Sequence, residues 1–165
     1  MRAWAIAEQG RTEEGGSAYD AALKEIKKTG AGLRMPHYLG LLAGIHRKAG
    51  QPAAGLRLLI EANQIAERNH EIWCNAMLEL ERGELLLLDA SEEAGGEADA
   101  AFKHAIDIAV DQGAKTLELR ASVARARHCA KQGEGQKALD MLSPIYGWFS
   151  EGFETPRPPA GKDAP

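Results

Sequence analysis

The chain has 165 residues and a mass of 17.8 kDa, enough for one domain and too little for two ordinary ones. It holds 29 Ala and 18 Leu but only 2 Val and 4 Thr, a composition that favours helices and argues against a sheet protein. A net charge of -4 gives no electrostatic reason to expect a nucleic acid or an anionic membrane surface as partner. The longest apolar run covers residues 3–7, far short of the roughly 20 residues that span a bilayer.

The spacing of apolar residues predicts eight helices, separated by turns at glycine and proline. In chain order they cover residues 2–9, 13–29, 36–49, 52–69, 71–89, 97–112, 115–132 and 135–149. Pro52 stands where a first helical turn tolerates proline, and Gly50 and Gly133 suit the left-handed residue that ends a helix. Gly95 and Gly96 are interpreted as part of a longer turn over residues 91–96. The expected fold class is all-α.

Small residues recur along these helices at a nearly constant spacing, which indicates an internal repeat. One series is Ala3, Ala43, Gly83 and Ala126, separated by 40, 40 and 43 positions. A second small series and a bulky series follow the same spacing: Gly15, Gly55, Ala98 and Ala138, then Tyr19, Leu59, Phe102 and Leu142. Small residues let two helix backbones approach, and a bulky residue one turn later fills the space beside the contact. We therefore expect about four helix hairpins that stack into an α-α superhelix.

The small–bulky spacing and the turn glycines resemble the tetratricopeptide repeat, a helix–turn–helix unit whose usual period is about 34 residues. Longer repeats of this kind occur in two groups of bacterial signalling ATPases, the class III adenylate cyclases with a predicted ATPase module and the LuxR-type regulators related to the maltose regulator. The strings similar to their C-terminal regions are KAGQPAAGLRLLIEA (48–62), ERGELLLL (81–88), AAFKHAIDIAVDQGAKTLELRA (100–121) and YGWFSEGFETP (146–156). The resemblance implies a helical-repeat domain over residues 1–156 with no catalytic residues to carry over.

Two departures from that family pattern concern domain organisation. The cyclase, ATPase or DNA-binding modules that precede the repeats in those proteins have no counterpart here, so the chain is expected to be a detached C-terminal segment. After Pro156 the family's closing helix is replaced by RPPAGKDAP. This composition predicts a disordered, proline-rich tail at residues 157–165.

Sequence motifs for catalysis and cofactor binding are missing from the chain. No HExxH, CxxC or Cys–His cluster predicts a metal site, no GxxxxGK[ST] spacing predicts a phosphate loop, and no GxSxG surrounds a serine. We therefore expect no enzyme activity, no cofactor and no metal. Cys74 and Cys129 fall within helical patterns, which indicates reduced thiols in a cytoplasmic protein.

The charge distribution indicates one candidate binding surface. Residues 115–137 hold six basic and two acidic residues within an acidic protein. By the resemblance, the first helix of each hairpin lines a concave face, on which Gly40 and Gly44 would widen a groove that Leu80 also lines. The peptide- or ligand-binding residues expected there are His37, Arg47, Glu84, Arg120 and Arg127. Such a face can bind an acidic segment through charge-assisted hydrogen bonds. The alternative is that the arginines form an ordinary solvated face.

The expected function is a non-catalytic protein-interaction or regulatory module that binds a protein or peptide partner. The alternative is a sensor domain that binds a small inducer on its concave face. Convergence of aromatic and hydrogen-bonding groups there would favour the sensor, whereas arginines favour a peptide. Trp4 and Tyr38 are the expected aromatic contributors. The chain is also expected to form a homodimer through repeat ends that leave Trp4 and Trp148 poorly covered.

Overall fold

The chain is all-α in the computed structural model, which describes residues 2–89 and 91–151, and this confirms the expected fold class. The described part contains eight α-helices and one turn of 3-10 helix at Ile72–Cys74, and it contains no strand. The helices are α1 Arg2–Glu8, α2 Thr12–Lys28, α3 Met35–Lys48, α4 Pro52–Asn69, α5 Asn75–Leu86, α6 Glu92–Asp111, α7 Lys115–Lys131 and α8 Gly135–Tyr146. The tail predicted at residues 157–165 lies outside the described residues. Among the described helices, none has the length and apolar character needed to cross a membrane.

The predicted helix boundaries agree with the structure to within a few residues, except at the start of α6. This helix begins at Glu92 instead of residue 97, so Gly95 and Gly96 are helical and the turn predicted over residues 91–96 is wrong. The Ser91 hydroxyl accepts a hydrogen bond from the Ala94 N–H at 3.2 Å and caps the helix. Acidic residues in the first turn add a favourable interaction with the helix dipole.

Small residues hold the paired helices close together, as the repeat spacing predicts. Gly15 of α2 lies against α1, where an added Cβ would stand 2.7 Å from the carbonyl oxygen of Ala3. An added Cβ at Gly55 of α4 would stand 3.2 Å from a backbone carbonyl oxygen of α3. Gly83 of α5 lies directly beneath the ring of Phe102 in α6. In each of these three hairpins, the absence of a side chain permits the close approach.

The odd-numbered helices form a layer, because α1, α3, α5 and α7 contact one another in succession while each packs against the even-numbered helix that follows it. Buried side chains between these helices form three core clusters. Leu39, Leu59 and Leu78 are fully buried in the first cluster, and Phe102 is fully buried in the second. The superhelical arrangement of the hairpins stays a prediction.

Replacing Phe102 with alanine is expected to lower the free energy of unfolding by about 3–5 kcal/mol, because a cavity would replace a fully buried ring. Val110 lies on the same helix with 50% of its surface exposed, so Val110→Ala is the matched control. The control should change the free energy by no more than about 0.5 kcal/mol. Urea denaturation followed by circular dichroism measures both variants. Equal urea midpoints for Phe102→Ala and Val110→Ala would show that the predicted repeat register is wrong.

Candidate functional site

The five residues expected to bind a peptide or ligand lie on odd-numbered helices, but they do not form one site. His37 and Arg47 are on α3, and Glu84 is on α5. Arg120 and Arg127 are on α7. The structure separates them into an ion-paired region around Arg47, a row of cations on α7 and an aromatic patch around His37.

The centre of the predicted groove is filled by contacts between α3 and α5. Gly40 is buried, and an added Cβ there would stand 2.7 Å from the side chain of Leu78. An added Cβ at Gly44 would stand 3.4 Å from the Glu81 carboxylate. Leu80 is buried in the second core cluster. The expectation that Gly40 and Gly44 widen a groove lined by Leu80 is therefore wrong, because the absent side chains let α5 pack closely against α3.

Arg47 is neutralised by carboxylates of this chain. Its Nε donates a 2.5 Å hydrogen bond to Oε1 of Glu81, which joins α3 to α5. Burial disfavours the guanidinium charge, but Glu81, together with Glu84 and Glu8, outweighs burial and raises the pKa of Arg47. Lys48 also pairs with Glu8 of α1. Arg47 and Glu84 thus belong to an internal charge network, whose central acidic residue, Glu81, was not among the residues predicted from the sequence.

Half of the basic residues between positions 115 and 137 are held by acidic neighbours. Arg125 donates two hydrogen bonds to Asp99 of α6, at 2.7 and 3.0 Å. These bonds lower the pKa of the Asp99 carboxyl below its ordinary value. Two further ion pairs of the segment are Lys115 with Glu118 and Lys137 with Glu134. These three cations are therefore less available to an external partner.

The other three cations form a basic row, defined as Arg120, Arg127 and Lys131. All three are exposed, and none makes an ion pair within residues 2–89 and 91–151. Because successive helical residues are rotated by about 100°, positions i, i+7 and i+11 lie on one side of α7. At about 1.5 Å per residue the basic row extends roughly 16 Å along the helix. The structure thus places Arg120 and Arg127 together and adds Lys131.

An aromatic patch lies where α3 and α5 begin. The His37 ring lies 5.2 Å from the Trp73 ring and 5.9 Å from the Tyr38 ring, measured between centroids. The guanidinium carbon of Arg34 lies 5.4 Å from the Trp73 centroid, a cation–π geometry. We name this surface the Trp73 patch, and its residues are Arg34, His37, Tyr38 and Trp73, together with Leu33 and Ile72, which directly precede Arg34 and Trp73 in the sequence.

Only part of the Trp73 patch is predicted by the sequence. His37 and Tyr38 were expected at a binding face, but Trp73 was not, because the chain forms a 3-10 turn at Ile72–Cys74 where an α-helix over residues 71–89 was expected. Trp4, the other expected aromatic contributor, packs half-buried against the first core cluster. The signal that could have indicated the patch is a large aromatic residue next to the boundary between two hairpins.

Two buried polar atoms at the beginning of α3 and α5 lack a hydrogen-bond partner among the described residues. Nδ1 of His37 and Oδ1 of Asn75 are buried without a hydrogen bond to any residue of the described chain. Burial, with a smaller effect of the Arg34 charge, lowers the pKa of His37, so the imidazole is neutral at pH 7. The patch thus combines a neutral imidazole, an indole, a phenol and one cation, which are groups suited to binding.

A separate groove of about 560 Å³ lies between α2, α3 and α4. Its polar lining includes Ser17, Asp20 and Arg57. His46 also lines it, and Nδ1 of this ring is 2.7 Å from the side-chain oxygen of Gln51. Across the described ranges, no group of three or more His, Cys, Asp or Glu side chains could hold a metal ion.

Comparisons of the chain with protein-family models, with curated proteins and with solved structures found no match. The resemblance to the tetratricopeptide repeats of signalling ATPases stays a prediction that rests on the sequence motifs.

Acidification is expected to destabilise the chain through His37. Its pKa lies below the ordinary value of about 6.5 in the folded chain, so the unfolded chain binds the proton more tightly. The stability contributed by the neutral ring is complete above pH 6.5 and is lost as the pH falls through the lower folded pKa. Melting temperatures between pH 7 and pH 5 should therefore fall more for the parent chain than for His37→Gln.

The control for this pH dependence is His70→Asn, because His70 is exposed and Asn tolerates its left-handed backbone. This control should retain the pH dependence of the parent. A His37→Gln variant that loses as much stability on acidification as the parent would contradict the prediction.

Proposed function

We propose that the chain is a non-catalytic interaction or regulatory module that binds an acidic segment of a protein partner on the exposed side of the odd-numbered helices. The observation that carries this proposal is the basic row. Its three cations share one side of α7 and have no ion-pair partner among the described residues. Adjacent cations without internal partners attract carboxylates and favour encounter with an acidic segment.

The chemistry of the basic row suits an extended peptide. A planar guanidinium donates paired hydrogen bonds to a carboxylate, as Arg125 does to Asp99 within this chain. A row of roughly 16 Å matches about five residues of extended chain at about 3.3 Å each. Because exposed ion pairs contribute at most about 1 kcal/mol each, we expect modest affinity that decreases with salt.

The resemblance to the C-terminal repeats of ATPase-linked adenylate cyclases and LuxR-type regulators supports a regulatory role for this binding. In such a role the partner segment would connect the repeats to a cytoplasmic signalling reaction carried out elsewhere. The chain itself would contribute recognition, and no catalytic step is assigned to it.

The Trp73 patch favours a second candidate function, a sensor domain that binds a small inducer. Aromatic rings and groups capable of hydrogen bonding converge there, and pockets for small molecules have this composition. A neutral inducer would leave the basic row without a role. We therefore prefer the acidic peptide, which uses the cations as well.

Neutralising the basic row should weaken peptide binding. The variant Arg120→Gln, Arg127→Gln, Lys131→Gln is expected to bind a fluorescent hexaglutamate peptide about tenfold more weakly at low salt, because three ion pairs are lost. Fluorescence anisotropy measures the affinity at low and high salt. The matched control removes the same charge from exposed cations of α4 and α6. Its substitutions are Arg57→Gln, Arg68→Gln and Lys103→Gln.

Equal loss of affinity in the two triple variants would show that net charge alone attracts the peptide, and would contradict a site on α7. A parent chain that does not bind the peptide at low salt would contradict the proposed function. A melting temperature raised by a neutral sugar and unaffected by the peptide would support the sensor instead.

We also infer that the chain forms a homodimer through the end that contains α8. Tyr19 is buried, which raises its pKa to about 12, and Trp4 is half-buried, so the first hairpin is covered better than expected from the sequence. By contrast, Leu139 of α8 is 61% exposed and Trp148 is 59% exposed. A two-fold contact between two such ends would cover both side chains.

Leu139→Glu is expected to convert the dimer into a monomer, because it places two like charges in the contact between the copies. Ile60→Glu is the matched control, since Ile60 is equally exposed at 60% but lies on α4. Light scattering across a dilution series measures the mass of both variants and of the parent. A monomeric parent at every concentration would contradict the inference.

A further inference from the structure

Three exposed apolar side chains belong to the two short segments that carry the Trp73 patch. Leu33 is 75% exposed, Ile72 is 62% exposed and Trp73 is 45% exposed. Leu33 directly precedes Arg34, whose guanidinium lies over the Trp73 ring. A single exposed apolar residue is ordinary, but several grouped with an arginine and aromatic rings have the composition of a protein-interaction hot spot.

The backbone that carries the Trp73 patch is fixed by a buried carboxylate. Glu71, which is buried, accepts a 2.8 Å hydrogen bond from the Arg34 N–H and so joins the segment before α3 to the segment before α5. Arg34 and His70 have φ values of 62° and 56°, a left-handed conformation that is uncommon for residues with side chains. From the other side, Gln112 donates a 2.8 Å hydrogen bond to the Ile72 carbonyl oxygen. These bonds preorganise the patch for binding.

We propose that the Trp73 patch is the anchor site for one aromatic or aliphatic side chain of the acidic partner segment. This inference rests on the proposed function and adds a second feature that the partner must carry. Charge complementarity favours an acidic segment here as well, because Arg34 has no ion-pair partner in the part of the chain described. Its guanidinium covers part of the indole and can donate to a carboxylate next to the anchoring side chain.

The Trp73 patch and the basic row belong to neighbouring parts of one layer, since α3, α5 and α7 contact one another in succession. The hydrogen bond from Gln112 to Ile72 holds the 3-10 turn next to the segment that leads into α7 at Lys115. A partner segment anchored at Trp73 therefore has only to follow the first turns of α7 to reach Arg120.

Three peptides of about twelve residues test the anchor site. The first carries one Phe followed by six Glu, the second has Ala in place of Phe, and the third has Gln in place of each Glu. Trp73→Ala should weaken binding of the Phe–Glu peptide about tenfold and leave binding of the Ala–Glu peptide unchanged. Ile60→Ala removes an apolar side chain of α4 that is 60% exposed, and it should alter neither affinity.

Fluorescence gives a second readout that does not require truncation of Trp73. The chain has three Trp, so the variant Trp4→Phe, Trp148→Phe leaves Trp73 as the one tryptophan. Its emission should change on addition of the Phe–Glu peptide and stay constant with the Ala–Glu peptide. Circular dichroism confirms that the variant is folded before the titration.

Two results together would overturn the anchor site and leave the proposed function standing. The parent and Trp73→Ala would bind the Phe–Glu peptide with equal affinity, and the Trp73 emission of the Trp4→Phe, Trp148→Phe variant would stay constant when this peptide is added. If neither Glu-containing peptide bound the parent, the proposed function would fail, and the Phe–Gln peptide would then decide the anchor site alone. A change of Trp73 emission with the Phe–Gln peptide would support the anchor, and constant emission would overturn it.

Discussion

Close backbone contact between paired helices is the constraint on which the rest of the structure depends. Gly15, Gly55 and Gly83 each lie where an added side chain would collide with the neighbouring helix or with a residue packed on it. Rotating a helix by one residue would bring a larger side chain into the contact, so each hairpin has one favourable register. The same register buries Leu59 and Phe102 and determines which faces of the odd-numbered helices remain exposed.

Ion pairs between helices determine which charges remain for a partner. Arg47 with Glu81 joins α3 to α5, and Arg125 with Asp99 joins α6 to α7. Partly exposed pairs of this kind contribute little to stability. Their larger consequence is electrostatic, because a cation held by a carboxylate of its own chain attracts an external carboxylate only weakly. The basic row is distinguished from these residues by its lack of such partners within the described chain.

Helices and the contacts within hairpins could be predicted, because they depend on residues close together in the sequence. Side-chain pairings between residues far apart in the sequence could not be predicted. Helix propensity and the spacing of small residues predicted the all-α class and the contacts within hairpins. The start of α6 differs from the prediction because Gly95 and Gly96 favour a turn by their local propensity, whereas the Ser91 cap starts the helix before them. At the site, helical spacing placed Arg47 on a face of α3 but contained no information about Glu81, which is 34 positions away.

The exposed side of the odd-numbered helices therefore carries two groups of side chains that the core and the ion pairs of the described chain do not use. One is the Trp73 patch with its cation at the start of α3 and α5, and the other is the basic row along α7. Neither feature alone gives strong binding, because exposed ion pairs are weak and the patch is small. Within one extended partner of the proposed kind the two contributions would combine, since the second contact becomes intramolecular once the first has formed. Under that proposal, affinity would depend on the spacing between the anchoring side chain and the acidic residues, and the separation of Trp73 from the basic row would be a determinant of specificity.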